Sequence, residues 1–184
     1  MMNKVLVRCK DNIKPYLLWL LLSAALVALD KLSKILAVKY LTDAGTVKVI
    51  PYLFNFVYVE NKGAAWGMLA DKRWIFIVIS SIAIVLILAV LLYLARAKKT
   101  LVISLVLILS GGIGNMIDRI GSGYVVDFIQ FGFWTSFPVF NVADSYVTIG
   151  GFMLLIYYIF IDKSLFTDKK KKKDEENDKS DTAA

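Results

Sequence analysis

The chain has 184 residues, 58% of them hydrophobic, with a formal net charge of +7 and a mean hydropathy of +0.65. A water-soluble domain of this length is closer to half apolar and breaks its apolar residues into shorter runs, so one membrane-embedded unit fits and two soluble domains do not. With no histidine and a single cysteine, the composition also excludes Ser-His-Asp and Cys-His catalysis, His-ligated metal centres and internal disulfides.

The basic excess sits at the two ends and beside apolar segments, where it reports membrane topology rather than a nucleic-acid surface. Residues 1–15 form a polar N-terminal segment with Lys4, Arg8, Lys10 and Lys14. Cys9 lies here without an apolar run before it and is read as incidental. A first apolar run covers about residues 16–38, long enough to cross ~30 Å of hydrocarbon. Nothing resembling a cleavage site follows it, so it reads as a retained span. Its outer third carries Asp30, Lys31, Ser33 and Lys34, and Asp30 and Lys34 are spaced to pair on one helix face.

Residues 39–73 are of another kind. Thr46 to Ile50 and Leu53 to Glu60 are β-branched and aromatic, separated at Pro51, and predict short strands lying on the membrane surface. A turn follows with Asn61, small residues and Trp66. A second span is predicted over about 74–95 and a third over about 101–117, joined by a short basic loop with Arg96, Lys98 and Lys99. The third span closes on Ser110-Gly111-Gly112-Ile113-Gly114-Asn115, whose small residues allow close helix approach. A loop carrying Asp127 and an aromatic stretch leads to a fourth span over about 139–161. The lysine-rich segment 163–184 lacks apolar periodicity and reads as a disordered tail.

The fold class is therefore an all-α polytopic membrane protein, with four transmembrane helices and a small extracytoplasmic platform of β-strands. The positive-inside rule puts both termini in the cytoplasm. Asp30, Lys34, Asn61, Asn115, Arg119, Asp127, Asn141 and Asp144 then all converge on the outer membrane interface. Ionisable groups there are costly and mark function by default. Counted from Pro138, Asp144 falls ~9 Å into the fourth span.

Two carboxylates held close in such a site cannot both ionise easily; they share a proton and can activate water without metal, cofactor or covalent intermediate. Asp127 and Asp144 are the candidate pair. The residues alone also fit a salt-bridge network with Arg119 and Lys34, or the proton path of a small proton-coupled transporter. Asn115 and Asn141 read first as helix caps or cross-span hydrogen-bonding groups, and Arg119 equally as a residue snorkelling to headgroups. Asp118 is expected to pair with a base or face water. Asp30 with Lys34 is expected to be a stabilising pair. Trp19, Trp66, Trp74 and Trp134 read as interfacial belt residues, and Lys169 to Lys173 as a solvated or lipid-touching run.

At four ordered blocks the sequence resembles the lipoprotein signal peptidases (signal peptidase II). The blocks are Asp30-Lys31-Leu32-Ser33-Lys34; Asn61-Lys62-Gly63-Ala64-Ala65-Trp66; Gly111 to Arg119 with Val125-Val126-Asp127-Phe128; and Phe140-Asn141-Val142-Ala143-Asp144-Ser145. The resemblance covers about residues 16–162. It implies an aspartyl endopeptidase of the bacterial cytoplasmic membrane that cleaves prolipoproteins before a diacylglyceryl-modified cysteine, with globomycin as the expected inhibitor. Asp127 and Asp144 would be the catalytic dyad. Asp30, Lys34, Asn61, Gly111, Asn115, Arg119 and Asn141 would support it. The expected partners are the lipid-modified substrate and membrane lipids, the protein acts as a monomer, and the strands form a platform over the bound peptide.

Overall fold

The computed structural model describes residues 13–63 and 72–161. Helix α1 spans Lys14–Leu41; strands β1 (Val47–Ile50) and β2 (Phe54–Asn61) follow; then come α2 (Arg73–Leu94), α3 (Lys99–Gly121), strand β3 (Val125–Phe131) and α4 (Val142–Ile156), which runs on into a single π-helical turn, Tyr157–Ile161. Cys9, Trp66 and the lysine-rich tail lie outside the described residues.

Helix α3 is the axis. Helices α1, α2 and α4 all pack against it, and Leu91, Val102, Leu105, Val106 and Leu109 form the buried apolar centre. Around that centre the usual inside-out order is reversed. The most apolar helix, α2, with a mean hydropathy of 3.3, has Leu91 as its one fully buried residue, whereas α3, at 2.0, is half buried. Ile75, Val78, Ile79, Ile82, Val85, Leu86 and Val90 face outward, while Ser23, Asp30, Lys34, Ser104, Ser110, Asp118 and Asn141 are buried. Such an outward apolar surface is stable only against hydrocarbon, where helix packing relies on small and polar contacts. Three of the helices, α2, α3 and α4 with the start of its π turn, are long and apolar enough to cross a membrane.

Those small and polar contacts are visible. The Ser23 and Ser110 hydroxyls meet at 3.0 Å between α1 and α3. Trp19, read from sequence as a belt residue, donates its indole N–H to the Ala95 carbonyl at 3.0 Å and ties α1 to the turn between α2 and α3. Trp74 and Trp134 are exposed. Gly111 and Gly150 bring α3 and α4 together: a Cβ at Gly111 would stand 2.3 Å from the Ala143 carbonyl oxygen, and one at Gly150 would stand 2.7 Å from that of Ser104.

The three strands form one antiparallel sheet in the order β1-β2-β3. The segment around Asp127, expected to be a loop, is the edge strand β3, with Asp127 opposite Val59 and Val125 opposite Asn61. Its first four residues are all buried, so it lacks the half-exposed alternation by which β1 and β2 were read. Phe140 hooks onto β3: the N–H groups of Phe128 and Ile129 donate to its carbonyl at 3.0 and 2.8 Å, and its own N–H donates to Ile129 at 3.0 Å. Because Phe140 directly precedes the first turn of α4, this hook sets β3 and the start of α4 in one frame. Helix α4 begins at Val142, so Asp144 lies in its first turn and not ~9 Å along, as the count from Pro138 gives. Phe140 is held by the sheet instead of by a helix.

Gly111→Ala is expected to push α3 away from α4 and lower stability by about 1–3 kcal/mol, the usual scale of overpacking. Thermal unfolding in detergent micelles measures it, and an unchanged midpoint would contradict the close-approach role.

Candidate active site

Asn61, Asn141 and Asp144 stand at element ends, Asp127 in β3 and Asn115 within α3. Strand β2 stops at Asn61, whose side-chain oxygen accepts the Gly63 N–H at 2.9 Å and so turns its amide nitrogen toward β3. That nitrogen donates to Asp127 Oδ2 at 2.8 Å. Asp127 is 2% exposed. At the other side, Asn141 caps α4. Its Oδ1 accepts the Asp144 N–H at 2.9 Å, while Asp144 Oδ2 accepts the Asn141 N–H at 3.1 Å, a reciprocal capping box. The Asn141 amide nitrogen then reaches Asp127 Oδ1 at 2.6 Å and Asn115 Oδ1 at 3.2 Å. Asn115, from α3, donates to Asp144 Oδ1 at 2.7 Å.

Every oxygen of the two carboxylates therefore meets one neutral N–H: Asn141 and Asn61 serve Asp127, and Asn115 and the Asn141 backbone serve Asp144. Neutral donors hold the carboxylates in place, and the nearby positive charges are those of Lys34 and Arg119. Burial pushes the Asp127 carboxyl up from its ordinary 3.8 to about 6, and the charge of Asp144 adds to that rise. The hydrogen bonds from Asn61 and Asn141, with the Lys34 charge, pull the other way and lose.

Behind the carboxylates lies a buried ion network. Lys34 donates to Asp30 Oδ2 at 2.8 Å and to Asn115 Oδ1 at 2.9 Å. Asp30 Oδ1 accepts the Ala143 N–H at 2.9 Å, so α1 also bonds the first turn of α4. Asp118, expected to pair with a base or face water, is buried and pairs with Lys31 at 2.6 Å and Lys34 at 2.8 Å. Arg119 donates to the carbonyls of Asn115 at 3.4 Å and Gly63 at 3.3 Å, with its guanidinium over the Phe76 ring at 5.1 Å. Gly111 touches neither carboxylate and acts through helix packing.

Asp127, Asp144, Asn61 and Arg119 line one cavity of about 930 Å³ together with the hydroxyl residues Ser80, Ser145 and Thr148; the rest of its wall is apolar, supplied mainly by the sheet and by Phe137 to Phe140. A second space of about 350 Å³ shares Ser80, Arg119, Asp144 and Thr148 with it and continues between α2, α3 and α4 past Gly111 and Gly112. An extended polar backbone with apolar substituents fits such a chamber. Among the described residues, no group of three His, Cys, Asp or Glu is placed to hold a metal ion.

The sequence-derived residues Asp30, Lys34, Asn61, Asn115, Asn141, Asp127 and Asp144 thus form one hydrogen-bonded chain, with Arg119 on the cavity wall. Sequence reasoning read Gly114 as a small residue for close helix approach but missed its place against Asp30, and it missed the burial of Asp118. A Cβ at Gly114 would come within 2.6 Å of Asp30 Oδ2. The spacing 111, 114, 118 along α3 is that of one helix face and was the available signal.

Comparisons with known proteins identify the family. A family model described as Signal peptidase (SPase) II matches residues 22–160. The lipoprotein signal peptidase of Clostridioides difficile is 38% identical over 149 residues, covering 79% of this chain and 97% of that one. Its counterpart in Caldanaerobacter subterraneus subsp. tengcongensis is 44% identical over 137 residues, covering 74% and 92%. A bacterial membrane enzyme solved by the in meso method at 2.3 Å is similar in fold, with a TM-score of 0.66 and 31% identity over 84% of this chain and 90% of that one. With a match across most of its length, the chain belongs to the signal peptidase II family.

Proposed function

We propose that the protein is an intramembrane aspartyl endopeptidase that removes the signal peptide from prolipoproteins, cutting on the N-terminal side of a diacylglyceryl-modified cysteine. Membership of a peptidase family supports the reaction class. The observation that carries the mechanism is the pairing of Asp127 and Asp144 through the single side chain of Asn141, both lining one cavity.

In this reading the pair holds one proton and one water. The ionised carboxyl takes a proton as the water oxygen attacks the scissile carbonyl carbon, and the protonated one gives its proton to the carbonyl oxygen. The tetrahedral diol collapses as a proton passes to the departing amine, giving one carboxylic acid and one amine from peptide and water. The carboxyls act as one coupled unit, so neither is assigned acid or base alone. Asn61, Asn115 and Asn141 orient the carboxylates, Asp30 and Lys34 orient Asn115 and α4, and Gly111 sets the α3–α4 spacing. Arg119, on the cavity wall, faces the substrate backbone.

The topology follows the same reading: four spans, both termini cytoplasmic, and the sheet as an extracytoplasmic platform over the substrate, with residues 16–162 as the peptidase unit and a cytoplasmic segment at each end. The 28 residues of α1 would extend ~42 Å, enough to cross a bilayer, with Asp30 and Lys34 shielded against α3. One bundle contains the whole constellation, consistent with a monomer among membrane lipids. No specific observation favours the transporter alternative.

Purified enzyme with a diacylglyceryl-cysteine peptide tests the dyad. Asp127→Asn and Asp144→Asn are each expected to lower turnover by at least ~10³-fold while the protein stays inserted and folded. Clear turnover by the folded double variant would reject the dyad, whereas globomycin should inhibit the wild type. The pH dependence adds an independent check. Since Asp127 is protonated below about pH 6 and the reaction needs the shared proton, kcat/KM should fall as pH rises through that value. Asn61→Ala removes a donor to the ionised form of Asp127, so this limb should move to higher pH; a limb that stays or moves down contradicts the assignment.

A further inference from the structure

Asp118 touches neither carboxylate of the pair, yet it is buried at the end of α3 beside the residues that hold them. Its Oδ1 accepts from Lys31 at 2.6 Å. Its Oδ2 stands 2.8 Å from Lys34 Nζ as a charge contact without the alignment of a hydrogen bond. The directed bonds of Lys34 go to Asp30 and to Asn115 Oδ1.

That last bond decides which way the Asn115 amide faces. The oxygen and nitrogen ends of an asparagine amide have nearly the same size, so only the hydrogen bonds select between them. Lys34 and Asn141 both donate to the oxygen end, which turns the nitrogen end to Asp144. A reversed amide would set its oxygen against the Asp144 carboxylate and its N–H₂ against the Lys34 ammonium, two repulsions in place of two bonds. Asp30 alone would draw Lys34 back along its own helix, four residues away. Asp118 is the anion on the other side, one turn from Asn115 on α3, and it draws the flexible lysine across the interface between the helices. With Lys31 included, two aspartates balance two lysines.

We infer that Asp118 is a positioning residue for the peptidase reaction: through Lys34 it fixes the Asn115 amide that holds Asp144. The inference rests on the reading of Asp127 and Asp144 as the catalytic pair. Its competitor is an ion pair that ties α1 to α3 and affects the reaction only through folding. The two differ in what Asp118 needs. A positioning role requires Asn115; a tie between helices does not.

The test measures kcat and KM of the full-length enzyme on a diacylglyceryl-cysteine peptide for Asp118→Asn, Asn115→Ala, the double variant, and Asp127→Asn and Asp144→Asn. Asp118→Asn is expected to lower kcat about 10- to 100-fold, the scale of small misplacements at a reacting centre, with KM changed less than about twofold. In the Asn115→Ala background the same substitution should cost less than about twofold, because the path it acts through is gone. Costs that multiply in the double variant, or a kcat lowered only in proportion to folded protein, would overturn the inference. If Asp118→Asn alone fails to fold, Lys31→Gln combined with Asp118→Asn restores charge balance, and a near-normal kcat in that variant would also overturn it. Turnover by Asp127→Asn or Asp144→Asn would remove the dyad reading and this inference with it. Inactive dyad variants beside an Asp118→Asn enzyme of normal kcat would remove this inference alone.

Discussion

The side chain of Asn141 holds the site together. Its nitrogen end binds the carboxylate on β3, its oxygen end accepts the N–H of Asp144, and its backbone N–H returns to the Asp144 carboxylate. A helix N-cap normally satisfies orphan backbone donors and no more. Here the same cap also fixes the relative position of two acids that would otherwise repel each other apart. The Phe140 hook on β3 makes this possible, because it places the cap and the strand within reach before any side chain acts. Loss of that single amide would leave Asp127 with Asn61 and the first turn of α4 without its side-chain cap.

The ions behind the site follow from the surrounding solvent. In hydrocarbon, an unpaired lysine or aspartate costs several kcal/mol and removing one partner of a buried pair costs about 3–5 kcal/mol. Asp30, Lys34, Asp118 and Lys31 accordingly neutralise one another, and their remaining hydrogen-bonding capacity is directed at Asn115 and Ala143. The carboxylates of the pair receive a different treatment. They are met by neutral amides, and burial, with the charge of Asp144 adding to it, raises the Asp127 carboxyl to about 6.

The sequence conveys some levels of this structure well. Long apolar runs, β-branched pairs around Pro51 and small residues before Asn115 anticipate a mostly helical membrane protein with a small sheet, because each reflects local periodicity or composition. The four motif blocks point to the family that the comparisons then established. Strand β3 escapes such reading. Buried from Val125 to Phe128, it has neither strand alternation nor a helix period, and its pairing with β2 joins residues distant in sequence, such as Val59 with Asp127. Asp118 is legible in part: pairing with a base is expected from the sequence, but its burial follows only from the approach of Lys31 and Lys34 from α1. The start of α4 lies later than Pro138 suggests, because Phe140 is claimed by the sheet.

The central claim is that Asp127 and Asp144 deliver water directly to the scissile carbonyl. Single-turnover cleavage of a diacylglyceryl-cysteine peptide in ¹⁸O-water, read by mass spectrometry of the released signal peptide and of the enzyme, tests it most directly. The account predicts one ¹⁸O in the new C-terminal carboxylate of the signal peptide and none in the enzyme. An unlabelled product, with ¹⁸O in the side chain of Asp127 or Asp144, would mean that an aspartate attacked the substrate itself, and would contradict it.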